Sequence, residues 1–487
     1  MPETESLDVL VIGAGFAGIG MAIKLRQQGR YRFAVVDRQD EVGGTWWVNT
    51  YPGCACDVQS HLYSYSFEPN PNWSRMFSPQ TEILEYLKHC VDKYGLREHL
   101  RLGTEMLEAR YDEDAARWIV RLGDGSTVQA RVLVTGTGTL DVPSIPEIPG
   151  AEQFRGPRFH SQQWDHSVEL RDKTVAVIGT GASAIQFVPE LQKIAARVRL
   201  FQRTPPWVMP KPDRAIGPRE RRLLARFPWL QRAYRRLIYW HLESRVFAFV
   251  LMPGLMKLAE QVARFQIRRH IRDPERRRQL TPTWTMGCKR VLISNDYYPA
   301  LAQDNVELIT RGIERINDAG LITADGTHHG ADVIIYGTGF KATEPMPRGR
   351  LIGRDGIDIV DAWADGMQAY KGTTVNGFPN LFMLTGPNTG LGHSSVVFTI
   401  ETQLAYVLDA MRRMDEAGWR QFEVRAEAQQ RYNDWLMRKI DGTVWQRGGC
   451  RSWYQDRNGR NVALWPGFTF GFRWRLRRFD AEAYRTA

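Results

Sequence analysis

The sequence predicts an α/β fold with two Rossmann-like dinucleotide-binding domains and a helical insertion in the second of them. Two Gly-rich turns, each directly after a buried strand and before a helical pattern, predict the two domains. A basic segment with helical periodicity follows the second turn and predicts the insertion. The chain has 487 residues and is too long for one compact core, which agrees with several domains.

The first Gly-rich turn covers residues 13–18 and reads Gly-Ala-Gly-Phe-Ala-Gly. A buried strand is expected before it over 8–12, a helix after it over about 19–28, and a second strand over 33–37. Its glycines permit a tight turn, close approach of a pyrophosphate and close packing of helix on strand. Asp37 lies 24 residues after Gly13, where a carboxylate holds a ribose hydroxyl.

The segment 42–47, Val-Gly-Gly-Thr-Trp-Trp, adds backbone N–H groups and flat aromatic surface just past the second strand. This composition suits close approach to a flavin, so we predict that the first domain binds FAD. The alternative is a Gly-rich turn with two core tryptophans.

The second Gly-rich turn covers residues 179–184 and follows a strand expected over 174–178. Its third glycine is replaced by Ala184, which that position tolerates because it needs only a small side chain. Arg203 lies 24 residues after Gly179, at the offset that Asp37 has in the first unit. A guanidinium there pairs with a ribose 2′-phosphate, and Thr204 adds a hydroxyl, so we predict NADPH rather than NADH. The alternative is that Arg203 is a solvated surface residue.

Two such cofactors indicate that hydride passes from nicotinamide to flavin. Disulfide reduction as the next step is not favoured, because Cys54 and Cys56 are separated by one residue rather than two. The five cysteines form no even disulfide framework, so we expect a reducing, cytoplasmic setting. The acidic residues 1–10 lead straight into a strand, and we expect neither a signal nor a transit peptide there.

The net charge of +11 comes from one part of the chain. Residues 211–280 hold 18 Lys/Arg and 6 Asp/Glu, and no nucleic-acid-binding signature accompanies them. We therefore expect no nucleic-acid partner. No run of 18 apolar residues occurs, so no transmembrane helix is expected, and no metal site is predicted.

A longer motif lies between the two turns, at residues 154–165. It matches F-x-G-x-x-x-H-x-x-x-W-[P/D] through Phe154, Gly156, His160, Trp164 and Asp165. This resembles the fingerprint of the type I Baeyer–Villiger monooxygenases, and the related N- and S-oxidising flavin monooxygenases have a variant without the Trp-Asp ending. The resemblance implies that the motif is a linker that couples domain rotation to catalysis. Packing of His160 and Trp164 between domains is the structural alternative.

The resemblance extends over nearly the whole chain and is nearest to the 4-hydroxyacetophenone monooxygenase branch. Other segments similar to family motifs are residues 43–46, 51–65, 287–290, 336–340, 386–393 and 451–453. The resemblance implies a monooxygenase that uses FAD, NADPH and O2 to convert ketones to esters or lactones through a C4a-peroxyflavin. A flavin monooxygenase that oxidises sulfides or amines, and a non-catalytic or membrane-associated flavin-binding protein, are the alternatives.

The family chemistry calls for a fixed cation beside an anionic peroxide and, later, a negatively charged adduct. We assign this role to Arg290, because Arg keeps its charge in a dry site. The resemblance names Asp57 as the anion that accompanies it, and turns Lys289 toward the 2′-phosphate beside Arg203. The alternative is that Lys289 and Arg290 are an exposed basic pair.

The predicted binding residues form two sets. Those for FAD are Gly13, Gly15, Phe16, Gly18, Asp37, Gly44, Thr45, Trp46, Asp57, Tyr63, Met106 and Val396. Those for NADPH are Thr180, Gly181, Ser183, Ala184, Gln186, Arg203, Thr204, Lys289, Arg290 and Trp453.

The domain boundaries follow from these motifs. The FAD domain is predicted over 1–150 and 341–487, the NADPH domain over 151–205 and 286–340, and the insertion over 206–285. The insertion places apolar runs beside Arg clusters. We favour a helical lid over the substrate channel, and peripheral contact of an interfacial helix with a membrane is the alternative.

Overall fold

The computed structural model describes residues 5–344 and 346–487. Residues 1–4, which carry part of the expectation about the N-terminus, and residue 345 lie outside the described residues. The N-terminal part forms six strands and three helices: β1 (Glu5–Ile12), α1 (Phe16–Gln28), β2 (Phe33–Val36), α2 (Thr45–Val48), α3 (Gln80–Lys93), β3 (Leu100–Arg101), β4 (Met106–Asp112), β5 (Arg117–Leu122) and β6 (Thr127–Thr135).

The middle of the chain contains a second α/β unit with a mainly helical insertion. Its first part is β7 (Arg158–His160), β8 (Thr174–Ile178), α4 (Ala184–Gln192) and β9 (Arg197–Phe201). The insertion follows as β10 (Val208–Met209), α5 (Pro218–Arg226), α6 (Pro228–Glu243), α7 (Met256–His270) and α8 (Pro274–Leu280). The unit then resumes with β11 (Leu292–Ile293), α9 (Tyr297–Leu301), β12 (Val306–Ile309), β13 (Ile313–Asn317), β14 (Gly320–Thr323), β15 (His328–Gly330) and β16 (Val333–Tyr336).

The C-terminal part returns to the first unit. Its elements are β17 (Leu351–Ile352), α10 (Ile359–Ala362), β18 (Leu381–Met383), α11 (Val396–Ala417), β19 (Phe422–Val424), α12 (Ala426–Ile440), α13 (Val444–Arg447), α14 (Thr469–Arg475) and β20 (Tyr484–Thr486). Strand β18 pairs in parallel with the end of β6, and β17 pairs with β4. The first and last parts of the chain therefore share one sheet.

Two sheets carry the fold. The larger has the order β17-β4-β5-β6-β1-β2-β3, with β18 also on β6, and the smaller is the parallel sheet β12-β9-β8-β16-β7. Val9, Leu10 and Val11 in β1 are fully buried, as expected for a parallel strand covered on both faces. In each sheet the Gly-rich turn leaves the carboxyl end of a central strand, which is where ligands bind in open α/β sheets.

The insertion is a bent pair of helical arms. The arms 228–251 and 253–270 are separated by Met252, and the helical direction bends there by 110°. Pro253 and Gly254 begin the second arm. Among the described residues no single helix is long and apolar enough to cross a membrane, and only this bent pair passes when its two arms are counted together. Its inner side packs on the larger unit, where Tyr239 stacks on Phe398 at 5.2 Å between ring centroids.

The expectation that the cysteines form no disulfide is wrong for one pair. Cys288, just before Lys289, is bonded to Cys450, which lies 162 residues later in the loop that leads to Trp453. The sequence offered no spacing signal, because a partner that distant is brought near only by the tertiary fold. Cys54, Cys56 and Cys90 are free and buried.

Removal of this disulfide is expected to destabilise the protein. A cross-link that closes a loop of 162 residues restricts the unfolded chain, and we expect the Cys288→Ser/Cys450→Ser variant to lose about 2–5 kcal/mol of unfolding free energy. The measurement is thermal unfolding with and without a thiol reductant. Reductant should lower the unfolding temperature of the natural chain and leave that of the double variant unchanged. Equal unfolding temperatures for both proteins without reductant would contradict the bond.

Candidate active site

The first Gly-rich turn has no room for a side chain at two of its glycines. A Cβ added to Gly18 would lie 1.7 Å from the carbonyl oxygen of Gly13, and one added to Gly13 would lie 2.6 Å from that of Gly136. Helix α1 starts at Phe16 without a side-chain cap on Gly15. Its first N–H groups are therefore available for a phosphate, which fits the pyrophosphate of a dinucleotide.

Asp37 lies at the end of β2, directly beside this turn. Its Oδ2 accepts the N–H of Ala14 at 2.6 Å, and its Oδ1 accepts the N–H of Gln39 at 2.9 Å. The N–H of Thr104 donates to the backbone oxygen of Asp37 at 2.8 Å, so Met106 begins β4 next to the same corner. The carboxylate thus fixes the turn and stays half-buried at the position predicted for ribose.

The second glycine segment packs on the first turn. A Cβ on Gly44 would lie 2.9 Å from the Cα of Gly15, so two stretches of backbone meet here without side chains between them. Trp46 Nε1 donates to the Tyr63 hydroxyl at 3.2 Å, and the Tyr63 ring lies edge-on to Phe16. These three aromatic side chains form a buried corner beside the start of α1.

The remaining predicted FAD residues have different surroundings. Thr45 starts α2 and is exposed, whereas Val396 is half-buried at the first position of α11, after Ser395 caps that helix. Because β18 runs parallel to β6, the segment between β18 and α11 leaves the sheet at the same edge as the first turn. The structure therefore brings Val396 to the edge that carries the glycine turn.

The second Gly-rich turn repeats the geometry of the first. A Cβ on Gly179 would lie 2.4 Å from the carbonyl oxygen of Gly337, and Ser183 leaves the first turn of α4 without a side-chain cap. Ala184 is fully buried, which explains why a small residue replaces the third glycine there. Thr180 Oγ1 donates to the backbone oxygen of Thr204 at 3.1 Å and ties the turn to the segment after β9.

Two cations lie together beyond β9. Lys289 Nζ donates to Thr204 Oγ1 at 3.0 Å, next to the exposed Arg203. Burial lowers the pKa of Lys289, and the charge of Arg203 lowers it further. In the described part of the chain neither side chain forms an ion pair. Two adjacent unpaired cations provide the electrostatic conditions for binding a phosphate.

Arg290 and Asp57 form a bidentate ion pair between distant parts of the chain. Arg290 Nε donates to Asp57 Oδ2 at 2.8 Å, and Arg290 Nη2 donates to Asp57 Oδ1 at 2.7 Å. The two side chains keep 29% and 27% of their surface accessible. The Asp57 carboxylate raises the pKa of Arg290 further above its usual value, so the guanidinium stays charged.

Several residues near this pair were missed by the sequence reasoning. Tyr454 lies beside Arg290 and is almost fully buried, and burial raises its pKa to about 12 while Arg290 opposes the shift. Lys211 lies near Asp57, and burial lowers the pKa of Lys211. Tyr454 follows Trp453 in the sequence and could have been found from that neighbour. Lys211 carried no signal, since it is one of many cations in its segment.

Gln186 connects the two α/β units. Its Oε1 accepts the hydroxyl of Tyr51 at 2.9 Å, and its Nε2 donates to the backbone oxygen of Ala55 at 2.9 Å. The side chain was predicted to bind NADPH, which stays a prediction, and in the structure it also holds the segment that carries Asp57. The 40% exposed Trp453 packs on Tyr454 with 4.4 Å between ring centroids.

The motif at 154–165 lies where the two units meet. His160 is fully buried at the end of the edge strand β7, and burial lowers its pKa. A Cβ on Gly156 would lie 2.2 Å from the carbonyl oxygen of Asp332, which explains the glycine.

Trp164 is the part of this motif that contacts both units. Its ring packs on Phe187 at 5.4 Å and Tyr51 at 6.5 Å, so it touches both units. Exposed Asp165 accepts the N–H and hydroxyl of Ser167 and closes a turn. Phe154 is buried in the smaller unit. Trp164 therefore packs between the two units, as the structural alternative expected, whereas the His160 ring lies edge-on to Phe340, just after β16, at 5.5 Å.

Comparison with known proteins places the chain among flavin-dependent oxygenases. Residues 10–228 match a family model described as pyridine nucleotide-disulphide oxidoreductase. A Baeyer–Villiger monooxygenase from Pseudomonas aeruginosa is 53% identical over 477 residues, which cover 98% of this chain and 90% of that protein. A crystal structure of cyclohexanone monooxygenase in its closed form superposes with a TM-score of 0.89 at 27% identity, over 99% of both chains. A structure of OTEMO in complex with FAD and NADP gives 0.90 at 28% identity over the full length of both.

Loss of the Asp57 charge is expected to destabilise the site. Asp57→Asn keeps the shape of the side chain but leaves the partly buried guanidinium of Arg290 without an anion, and we expect a loss of about 1–3 kcal/mol of unfolding free energy. Thermal or urea unfolding measures it. The control is Asp124→Asn, because Asp124 is exposed and Asn can keep its bonds to Ser126. Equal stability of the two variants would contradict the importance of the ion pair.

Proposed function

The chain belongs to the type I Baeyer–Villiger monooxygenase family, and on that premise we propose that it uses FAD, NADPH and O2 to convert a ketone into an ester or a lactone. The observation that carries the proposal is the Arg290–Asp57 ion pair. The pair joins the turn after the helical insertion to the segment after the first glycine turns, between the two places that suit a dinucleotide. The ketone class rests on the family and on the name of the cyclohexanone monooxygenase neighbour.

FAD would lie on the larger sheet. The glycine backbone of the first turn and the uncapped start of α1 would hold its pyrophosphate, Asp37 its ribose, and Trp46 and Tyr63 its ring system. Bound FAD, once reduced, supplies the electrons that activate O2. The assignment is supported by the glycine backbone at the start of α1, where added side chains would collide with neighbouring carbonyl groups, and by the bound FAD and NADP of the OTEMO neighbour.

NADPH would lie on the smaller sheet. The second glycine turn and the start of α4 would hold its pyrophosphate, and Arg203, Thr204 and Lys289 would hold its 2′-phosphate. The absence of an acidic partner for the two cations among the described residues supports this assignment. Trp453, partly exposed beside Tyr454, would pack on the nicotinamide ribose.

Arg290 and Asp57 would act on the reacting oxygen atoms. Arg290 presents a permanent positive charge that stabilises negative charge on an oxygen in the site, and Asp57 orients the guanidinium through two hydrogen bonds. The carboxylate also neutralises the cation when no substrate is present. A preoriented charge of this kind needs no reorganisation during the reaction, which is what makes it effective.

The domain division follows the two sheets. We propose that the FAD domain comprises 1–150 and 341–487, the NADPH domain 151–205 and 286–340, and the helical insertion 206–285. The pairing of β17 and β18 with the first sheet supports the two-part FAD domain. A cytoplasmic location and membership of the 4-hydroxyacetophenone branch stay predictions from the sequence.

The proposed activity is tested by turnover. The purified protein should be yellow, should oxidise NADPH, and should do so faster when a ketone is supplied. Arg290→Ala should keep its flavin and lose ketone oxygenation by about a hundredfold or more, because a fixed charge at a developing anion is worth several kcal/mol. Arg171→Ala, a change of an exposed arginine, is the matched control and should keep full activity.

Three outcomes would overturn this proposal. A colourless protein, or NADPH oxidation that no ketone stimulates, would refute the enzyme class. Full oxygenation by Arg290→Ala would refute the role of the ion pair. Ready oxidation of sulfides or amines, with ketones untouched, would favour the related flavin monooxygenase activity instead.

The choice of nicotinamide cofactor has its own test. Arg203→Ala should raise the KM for NADPH about tenfold to a hundredfold and leave the KM for NADH nearly unchanged, because only NADPH carries the 2′-phosphate. Lys289→Ala should act in the same direction. An unchanged preference in Arg203→Ala would show that this side chain faces away from the cofactor.

A further inference from the structure

The outer side of the insertion, together with the adjoining helix α14, carries most of the large hydrophobic side chains that the structure describes as exposed. Of the 19 large hydrophobic side chains that are exposed in the described residues, 14 lie within 223–265 and 470–474. We call these 14 side chains the insertion face. Monomeric proteins rarely expose so many large apolar groups together, and such patches mark sites of interaction.

The insertion face is continuous across three elements. Trp240 of α6 lies 6.0 Å from Phe470 of α14 between ring centroids, and Phe470 stacks on Phe468 at 4.9 Å. Phe468 in turn contacts Phe247, at the end of the first arm, at 5.6 Å. The aromatic rings therefore link the C-terminal helix to the bend between the two arms.

Helix α7 shows why the insertion face needs a partner. Its inner side buries Met256, Ala263 and Ile267, and these residues are enough to pack the helix on the protein. Leu258 and Phe265 lie on the outer side and are 69% and 59% exposed. A helix that packs on the protein through one side needs a single apolar stripe. The second stripe of α7 therefore serves a different contact.

The charges around the insertion face identify the chemistry of that contact. Residues 211–280 carry 12 more cations than anions. The acidic side chains there are already occupied: Asp213 by Arg75, Glu220 by Arg214, Glu243 by His393, Glu260 by Arg264, Glu275 by Arg278, and Asp273 as the cap of α8. Exposed arginines such as Arg222, Arg232, Arg236 and Arg268 form no ion pair within the described residues. The partner must therefore supply negative charge around an apolar contact.

We propose that the insertion face binds the surface of a membrane that contains anionic lipids. The apolar side chains of the bend and of outer α7 enter the region between headgroups and acyl chains, and the arginines bind lipid phosphates. A second copy of the chain is a poorer partner, because a symmetric contact would place the same unpaired cations against each other.

Sedimentation with vesicles tests the proposal on the full-length holoenzyme. The protein should sediment with vesicles of phosphatidylcholine and phosphatidylglycerol, bind pure phosphatidylcholine vesicles weakly, and be released in part by high salt, which screens the lipid charge. Equal binding to both vesicles, or binding to neither, would overturn the proposal.

Two variants separate the apolar and the charged contributions. Leu258→Ser/Phe265→Ser should lower the partition onto anionic vesicles about tenfold or more, because buried apolar area is lost. Arg232→Gln/Arg236→Gln should lower it about twenty-five-fold, since each cation near an anionic surface contributes a factor of about five. The matched controls are Ile357→Ser and Arg158→Gln/Arg171→Gln, which change exposed residues elsewhere and should bind like the natural chain.

The same variants distinguish the other occupant. All of them should keep the flavin content and turnover of the natural chain, because none lies in the active site, so failure of this proposal and failure of the proposed activity are separate results. An oligomer that Leu258→Ser/Phe265→Ser splits in light scattering, together with no vesicle binding, would show that a second copy covers the insertion face and would overturn the membrane proposal.

Discussion

The arrangement of this molecule depends on one ion pair, between Arg290 and Asp57. Both groups belong to segments that could not hold them in place alone. Asp57 lies in an irregular stretch whose backbone Gln186 binds from the other α/β unit, and Arg290 lies in a turn fixed by the disulfide of Cys288. The pair keeps a permanent cation between the two glycine turns at a low cost in desolvation, because both charges retain about a quarter of their accessible surface.

The two Gly-rich turns could be predicted because their signals are local in the sequence. A buried strand, a turn that only glycine can form and a helix with free N–H groups are all encoded within 30 residues. Comparison of Asp37 with Arg203 at the same offset then assigned a cofactor to each turn. The roles of Arg290, Asp57 and Lys289 came from the family resemblance. The structure then brought Lys289 beside Arg203 and Arg290 onto Asp57.

The remaining features depend on contacts that no local pattern encodes. The bond between Cys288 and Cys450 closes 162 residues, and the expectation that the cysteines form no disulfide framework missed it for that reason. Gln186 contacts Tyr51 and Ala55 of the other α/β unit, and its position on the helix does not reveal these contacts. The insertion was read as a lid in preference to an interfacial helix. Its two apolar sides show why the sequence pattern alone could not separate these functions, since each side produces its own periodic signal.

The fate of the oxygen atoms gives the most direct test of the central claim, that the site inserts oxygen beside a carbonyl. The enzyme should be supplied with NADPH, a ketone and isotopically heavy O2, and the product should be examined by mass spectrometry. We expect an ester or lactone with one heavy oxygen atom per molecule, and hardly any of this product from Arg290→Ala. An ester without the label, or consumption of NADPH and O2 that leaves every ketone unchanged, would contradict it.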